Sequence, residues 1–129
     1  MARDVIHSEK APKAIGPYSQ AIAVSGGGKT VFLSGQIPLD PVTMEIVPGD
    51  VSAQTERVMK NLEAVLAAAG GGFANVVRCG IFLTDLADFG KVNEVYGRYF
   101  PANPPARATV QVSALPRGSK VEIDCIAVI

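Results

Sequence analysis

The period of the apolar positions changes several times along the chain, and each change marks an element. Arg3–His7 reads as a short edge strand, and EKAPKAIGPYS after it is a loop whose prolines and glycine give it a persistent shape, with Tyr18 at its tip. QAIAVS and TVFLSGQ are β segments rich in Val, Ile and Phe, and the GGGK between them predicts a hairpin. IPLDPVTMEIVPGD is a loop held by three prolines, and Asp50 at its end is a candidate helix N-cap. From there Val51, Val58, Leu62, Val65, Leu66 and Ala69 recur at helical spacing, with Glu56, Arg57, Lys60 and Glu63 on the other side. Gly70 predicts a left-handed stop. VVRCGIFLT reads as a central strand and DLADFGKVNEVYGRYF as a second, shorter helix that ends before Pro101. ARATVQV and SKVEIDCIAVI are strands flanking SALPRG. The order β-β-β-α-β-α-β-β predicts an α+β fold: a two-layer α/β sandwich, a mixed β-sheet with two helices on one face.

The last two strands suggest their own register. Arg107, Thr109 and Gln111 share one face, as do Lys120, Glu122 and Asp124, while Ala108, Val110, Val112 and Val121, Ile123, Cys125 take the apolar one. If the strands pair as a hairpin, opposing Thr109 with Glu122 also opposes Arg107 with Asp124 and Gln111 with Lys120, which avoids every like-charge pair. That register predicts Arg107 and Glu122 on one polar face, in diagonal reach of each other.

Composition narrows the function classes. The chain has 129 residues, with 12 Lys plus Arg against 12 Asp plus Glu, and reads as one domain over residues 1–129. Zero net charge without a basic run argues against nucleic acid or an anionic membrane as partner. Cys79 and Cys125 sit in apolar segments, which suits buried, reduced thiols, and MARDVIHSEK has no apolar stretch for a signal peptide, so a cytoplasmic location is expected. GGGKT at 26–30 fails as a phosphate-binding loop, since Ala23 stands where the pattern needs glycine and a strand follows instead of a helix. The single histidine, His7, and the two cysteines lack ligand spacing, so no metal is expected.

What remains are polar residues in unusual places. Arg107 follows the rigid NPPA turn, where its guanidinium could fork onto a small carboxylate or pair with Asp124. Glu122, between Val121 and Ile123, could act as a general acid/base or be a solvated outer-face residue. Ser34 beside Gly35 offers a hydroxyl and an approachable backbone amide. Tyr18 could pack over a ligand or cap the core, and Asn93 reads from its helix position as a surface residue.

The segments AIGPYSQA, LSGQIPLDP, VVRCGIFLTDLADFGKVNEVY, NPPARATVQVSALP and VEIDCIAVI, in this order and spacing, resemble the reactive intermediate deaminase family, RidA, also called YjgF. The resemblance covers essentially the whole chain. It implies a chorismate-mutase-like fold, a homotrimer with sites at subunit interfaces, and hydrolysis of enamines and imines such as 2-aminoacrylate, 2-iminopropanoate and 2-iminobutanoate to 2-keto acids and ammonia, with no cofactor or metal. By the same resemblance Arg107 matches the arginine that binds the substrate carboxylate, and Glu122 with the main-chain carbonyl of Thr109 matches the pair that holds the attacking water. Tyr18, Ser34 and the Gly35 backbone match further lining groups, and Asn93 an asparagine close by. Thr109 departs from the cysteine frequent at that position, which puts any thiol-based response there in doubt. Two other functions stand against deamination: a non-catalytic regulatory trimer that binds small carboxylates, and a ribonuclease or translation inhibitor.

Overall fold

The computed structural model describes residues 2–11 and 13–129. Its strands are β1 (Ala2–Ile6), β2 (Ala21–Ser25), β3 (Thr30–Gln36), β4 (Val76–Leu83), β5 (Ala106–Gln111) and β6 (Val121–Val128), and its helices are α1 (Val51–Ala68) and α2 (Phe89–Tyr99). The element order is the expected one, because local signals set the boundaries. The Asp50 carboxylate accepts the Ala53 amide at 3.0 Å and caps α1. Gly70, at φ +95°, turns the chain out of α1, and its N–H donates to the Ala67 carbonyl at 3.0 Å. A single 3₁₀ turn over Leu86–Asp88 leads into α2, which stops before Pro101 as expected.

The strand pairing departs from the expected one twice. β2 pairs with β1 in a two-stranded antiparallel ribbon, whereas β3 joins the main sheet, whose order is β3-β6-β4-β5. The GGGK segment is therefore a swivel between two sheets. Lys29 exchanges both backbone hydrogen bonds with Ile129, at 2.7 and 2.8 Å, which commits β3 to the last strand before it begins. Nor do β5 and β6 form a hairpin. β5 lies parallel to β4 across the α2 crossover, and β6 runs antiparallel between β3 and β4. Segment 112–120 crosses the end of β4, with Val112 donating to Leu83 at 2.8 Å and Thr84 donating to Lys120 at 3.3 Å. Val121, Ile123, Cys125 and Ala127 are all buried, so β6 gains more apolar contact flanked on both sides than it would at an edge.

The faces follow from this register. Val31, Leu33, Cys79, Ile81, Leu83, Val121, Ile123, Cys125 and Ala127 turn toward Val58, Met59, Leu62 and Leu66 of α1 and Val92 and Tyr96 of α2. Thr55 and Gln54 are also buried on α1: the Thr55 hydroxyl donates to the Val51 carbonyl at 2.7 Å, and Gln54 Oε1 accepts from Lys120 N at 2.9 Å. Neither α1 nor α2 packs on the opposite sheet face. There Phe32 is 76% exposed and Val110 45%, beside Phe82 and Ile126.

Candidate functional site

Arg107 is the third departure from the expected register. Its cross-strand partner is Cys79, itself opposed to buried Cys125, so Arg107 stands on the helix-facing side of the sheet with Thr109. Ala108 and Val110 take the open face, the reverse of their expected place. Asp124 also lies on the open face, where it accepts the Gly80 amide at 3.1 Å, and the Arg107–Asp124 ion pair does not form. Glu122, opposed to Phe82, is on that face too. Arg107 and Glu122 are thus not brought together within one chain.

The surroundings of Arg107 are built by three segments. On α2, Phe89, Asn93 and Tyr96 fall at i, i+4 and i+7, one stripe facing β5. Asn93 Oδ1 accepts a short hydrogen bond from Arg107 Nη1. The guanidinium carbon lies 5.2 Å from the Tyr96 ring centroid, 5.3 Å from that of Phe89 and 5.4 Å from that of Tyr18. Tyr18 reaches this position because its loop is pinned to the NPPA turn: Ser19 N donates to the Pro105 carbonyl at 3.1 Å, and the Ser19 hydroxyl donates to Pro104. Gly16, at φ +115°, makes the sharp bend that the loop needs to pass the guanidinium.

A cavity of about 400 Å³ opens here, lined by Tyr18, Leu86, Phe89, Arg107 and Thr109. Its chemistry is one cation among apolar and aromatic walls. Burial lowers the Arg107 pKa from its ordinary value, and among the described residues no carboxylate lies within 4.0 Å of it. The Thr109 hydroxyl oxygen is buried without a hydrogen-bond partner. A half-buried guanidinium with donors left over beside a cavity has the chemistry to take a small anion, and a carboxylate fits the shape of its fork.

The other expected residues gather on the far face. β3 is irregular between Leu33 and Gln36, and this places Gly35 against Glu122: a Cβ at Gly35 would overlap the Glu122 carboxylate. Ser34 is exposed beside them. Of the residues named from the sequence, Arg107, Tyr18 and Thr109 line this cavity and Asn93 bonds to Arg107, whereas Leu86, Phe89 and Tyr96 were not named. The α2 stripe was the available signal, since two aromatics flanking an asparagine at helical spacing face whatever the helix packs on. Among the described residues no group of three or more His, Cys, Asp or Glu could hold a metal, and no helix is long and apolar enough to cross a membrane.

A small mixed-sheet α+β protein with a half-buried arginine beside an aromatic-walled cavity is the class defined so far, and comparison with known proteins narrows it. The family model described as Endoribonuclease L-PSP matches residues 8–129, and the chain belongs to this RidA/YjgF family. It is 76% identical over 128 residues to Protein DfrA of Myxococcus xanthus, covering 99% of this chain and 97% of that one. It is 52% identical over 126 residues to the 2-iminobutanoate/2-iminopropanoate deaminase of Mus musculus, covering 98% and 91%. Among solved structures, E. coli TdcF with bound serine is similar with a TM-score of 0.74 at 43% identity, covering 98% of each chain.

Proposed function

We propose that the protein hydrolyses 2-imino acids and their enamine tautomers, 2-aminoacrylate, 2-iminopropanoate and 2-iminobutanoate among them, to 2-keto acids and ammonia. The observation that carries this reading is Arg107: a caged, half-buried guanidinium with no carboxylate partner among the described residues, opening onto a cavity of about 400 Å³. The deaminase names of relatives near 50% identity supply the reaction class.

In this reading Arg107 clamps the substrate carboxylate, Asn93 holds the guanidinium, and Tyr18 closes over the ligand. Glu122 and the Thr109 main-chain carbonyl orient a water toward C2, with Ser34 and the Gly35 backbone lining the site. Attack of water on the iminium carbon forms a C–O bond and a tetrahedral carbinolamine. Glu122 takes one proton from the water and returns it to the amine; the C–N bond then breaks as the carbinolamine hydroxyl gives its proton through Glu122 to the departing ammonia, leaving the carbonyl and ammonium. Orientation does most of this, as the substrate is already electrophilic.

Because Arg107 and Glu122 leave the sheet on opposite faces, the site we propose joins Arg107 of one copy to Glu122 of a second. Such a contact can be repeated head to tail from copy to copy, and it closes into a ring where the rotation between copies closes. A homotrimer with three interface sites fits that requirement. The uncovered sheet face with Phe32 and Val110 supplies the apolar surface it would bury.

A second reading, a small-carboxylate-binding regulatory trimer without catalysis, is favoured by one observation: a structurally similar protein is described with bound serine, an amino acid with the same carboxylate handle. The nuclease name carried by the family model finds less support, because 12 Lys plus Arg are balanced by 12 Asp plus Glu. The deciding experiment generates 2-aminoacrylate in place with a serine dehydratase and follows pyruvate and ammonia. Release faster than the uncatalysed background is expected with the native protein and not with Arg107→Ala. Background-rate release by the native protein, with retained affinity for 2-keto acids, overturns catalysis in favour of binding.

A further inference from the structure

Leu33, Cys125, Cys79 and Arg107 form one row across the four strands of the main sheet, each opposed to the next. Cys79 and Cys125 are free thiols, 1% and 3% exposed, on antiparallel neighbours with side chains on the same face. Directly opposed residues of antiparallel strands hold their Cα atoms about 4.5–5.5 Å apart. That span lies inside the roughly 4.4–6.8 Å that a disulfide accepts.

The two thiols are chemically unequal. Hydrogen bonding from Cys125 holds the Cys79 thiol below its ordinary range against the effect of burial, and the nearby Arg107 cation acts in the same direction. The same contact, with burial, pushes the Cys125 thiol up. The register separates them as well: Cys79 stands directly opposite Arg107, whose cation favours a thiolate, whereas the outer neighbour of Cys125 is Leu33. The pair also touches the site. Burial and then the neighbouring Cys79 thiol push the Tyr96 hydroxyl pKa up, and the Tyr96 ring lies 5.2 Å from the Arg107 guanidinium carbon.

We propose that Cys79 and Cys125 are a redox-active pair, converted by a hydroperoxide into a cross-strand disulfide that loosens the seat of Arg107. The Cys79 thiolate attacks one peroxide oxygen, the O–O bond breaks, and with one proton taken up the products are Cys79 sulfenic acid and water (an alcohol, for an alkyl hydroperoxide). Cys125 sulfur then displaces hydroxide from Cys79, and its own proton leaves with that hydroxide as a second water. Two thiols are oxidised by two electrons and the peroxide is reduced by two. The new bond draws Cys79 toward β6 and away from Tyr96. In a close-packed interior the ring follows the vacated space, and the guanidinium stacked on it shifts too. A dithiol reductant reverses the change.

The effect on ligand rests on the reading of Arg107 as a carboxylate clamp, whereas the disulfide itself does not. The test treats the full chain with hydrogen peroxide at neutral pH, then unfolds and alkylates it for mass spectrometry. We expect loss of two hydrogens within a single chain, one Cys79–Cys125 linked peptide, no alkylated cysteine, and full reversal by dithiothreitol. Cys125→Ala should stop at a Cys79 sulfenic acid that dimedone traps. In calorimetry with 2-oxobutanoate the oxidised protein should bind about tenfold more weakly, as expected for weakening one charge-assisted contact. Affinity should return on reduction, and Cys79→Ala/Cys125→Ala should bind alike before and after peroxide. If that double variant fails to fold, the oxidised and re-reduced native chain is the control. Cysteines that both remain alkylatable, or that link two chains, overturn the proposal. A disulfide that leaves affinity unchanged overturns the coupling to Arg107 while the clamp stands. If the reduced protein binds no 2-oxobutanoate, the clamp reading fails and the disulfide result still decides the thiol chemistry.

Discussion

Arg107 and Glu122 project from opposite faces of one sheet: Arg107 shares its side with Cys79 and Cys125, Glu122 with Phe82 and Gly35. Any chemistry that uses both in the same step needs a second copy of the chain. Each can therefore be tested separately before they are tested together.

Arg107→Ala should reduce kcat/KM for 2-aminoacrylate hydrolysis at least tenfold, since a hydrogen bond to a charged group is worth about 1.5–3 kcal/mol. Arg107→Lys should recover little. The ammonium retains the charge, but it loses the planar fork and its stacking between Tyr18, Phe89 and Tyr96. A coupled assay for pyruvate reads both variants, and full activity in Arg107→Lys would reduce the clamp to a simple point charge.

Gly35→Ala isolates Glu122. The added methyl overlaps the Glu122 carboxylate, which must rotate away from the position it holds beside β3. Gly35 itself is exposed, so unfolding should be little affected. The expected result is a loss of kcat of roughly tenfold or more with a near-normal thermal melt, because small misplacements of an acid/base group are costly. A variant with normal kcat would show that the Glu122 carboxylate need not sit there.

The contrast between what the sequence made legible and what it hid follows from range. Asp50, Gly70 and Pro101 bound their helices by local geometry, and both helices were readable. Pairing depends on distant segments. Charge complementarity between Arg107 and Asp124 made a β5–β6 hairpin attractive, but burying both edges of β6 outweighs a surface ion pair. The inverted faces of β5 have a related cause: Ala108 and Val110 join Phe32, Phe82 and Ile126 on the open face beside Glu122 and Asp124, whereas their alternation in the sequence could only be assigned to a core. Arg107 was found as a residue, but its cage was not, since Phe89 and Tyr96 acquire meaning only once α2 is laid on β5.

The uncovered face predicts its own partner. Phe32 is 76% exposed on the edge strand β3 of the uncovered face, and burying such a side chain is worth about 1.5–3 kcal/mol per copy. Phe32→Asp should shift the sedimentation of the native assembly toward the 13.5 kDa chain and abolish hydrolysis with it, although Phe32 belongs to neither half of the proposed site. Unchanged sedimentation would mean that copies meet elsewhere.

Mixing inactive variants tests the shared site most directly. Arg107→Ala lacks the clamp and Glu122→Gln the base, and each alone should hydrolyse 2-aminoacrylate no faster than background. In a ring where every site takes Arg107 from one copy and Glu122 from its neighbour, an intact site forms wherever a Glu122→Gln chain donates its arginine to an Arg107→Ala chain that donates its glutamate. Unfolding and refolding an equal mixture should therefore restore about a quarter of the native activity, as two independent choices at each heterologous interface require. A site contained within one chain would restore none. Mixing the folded variants without unfolding should restore activity only as fast as subunits exchange, which separates rescue by assembly from contamination with native protein.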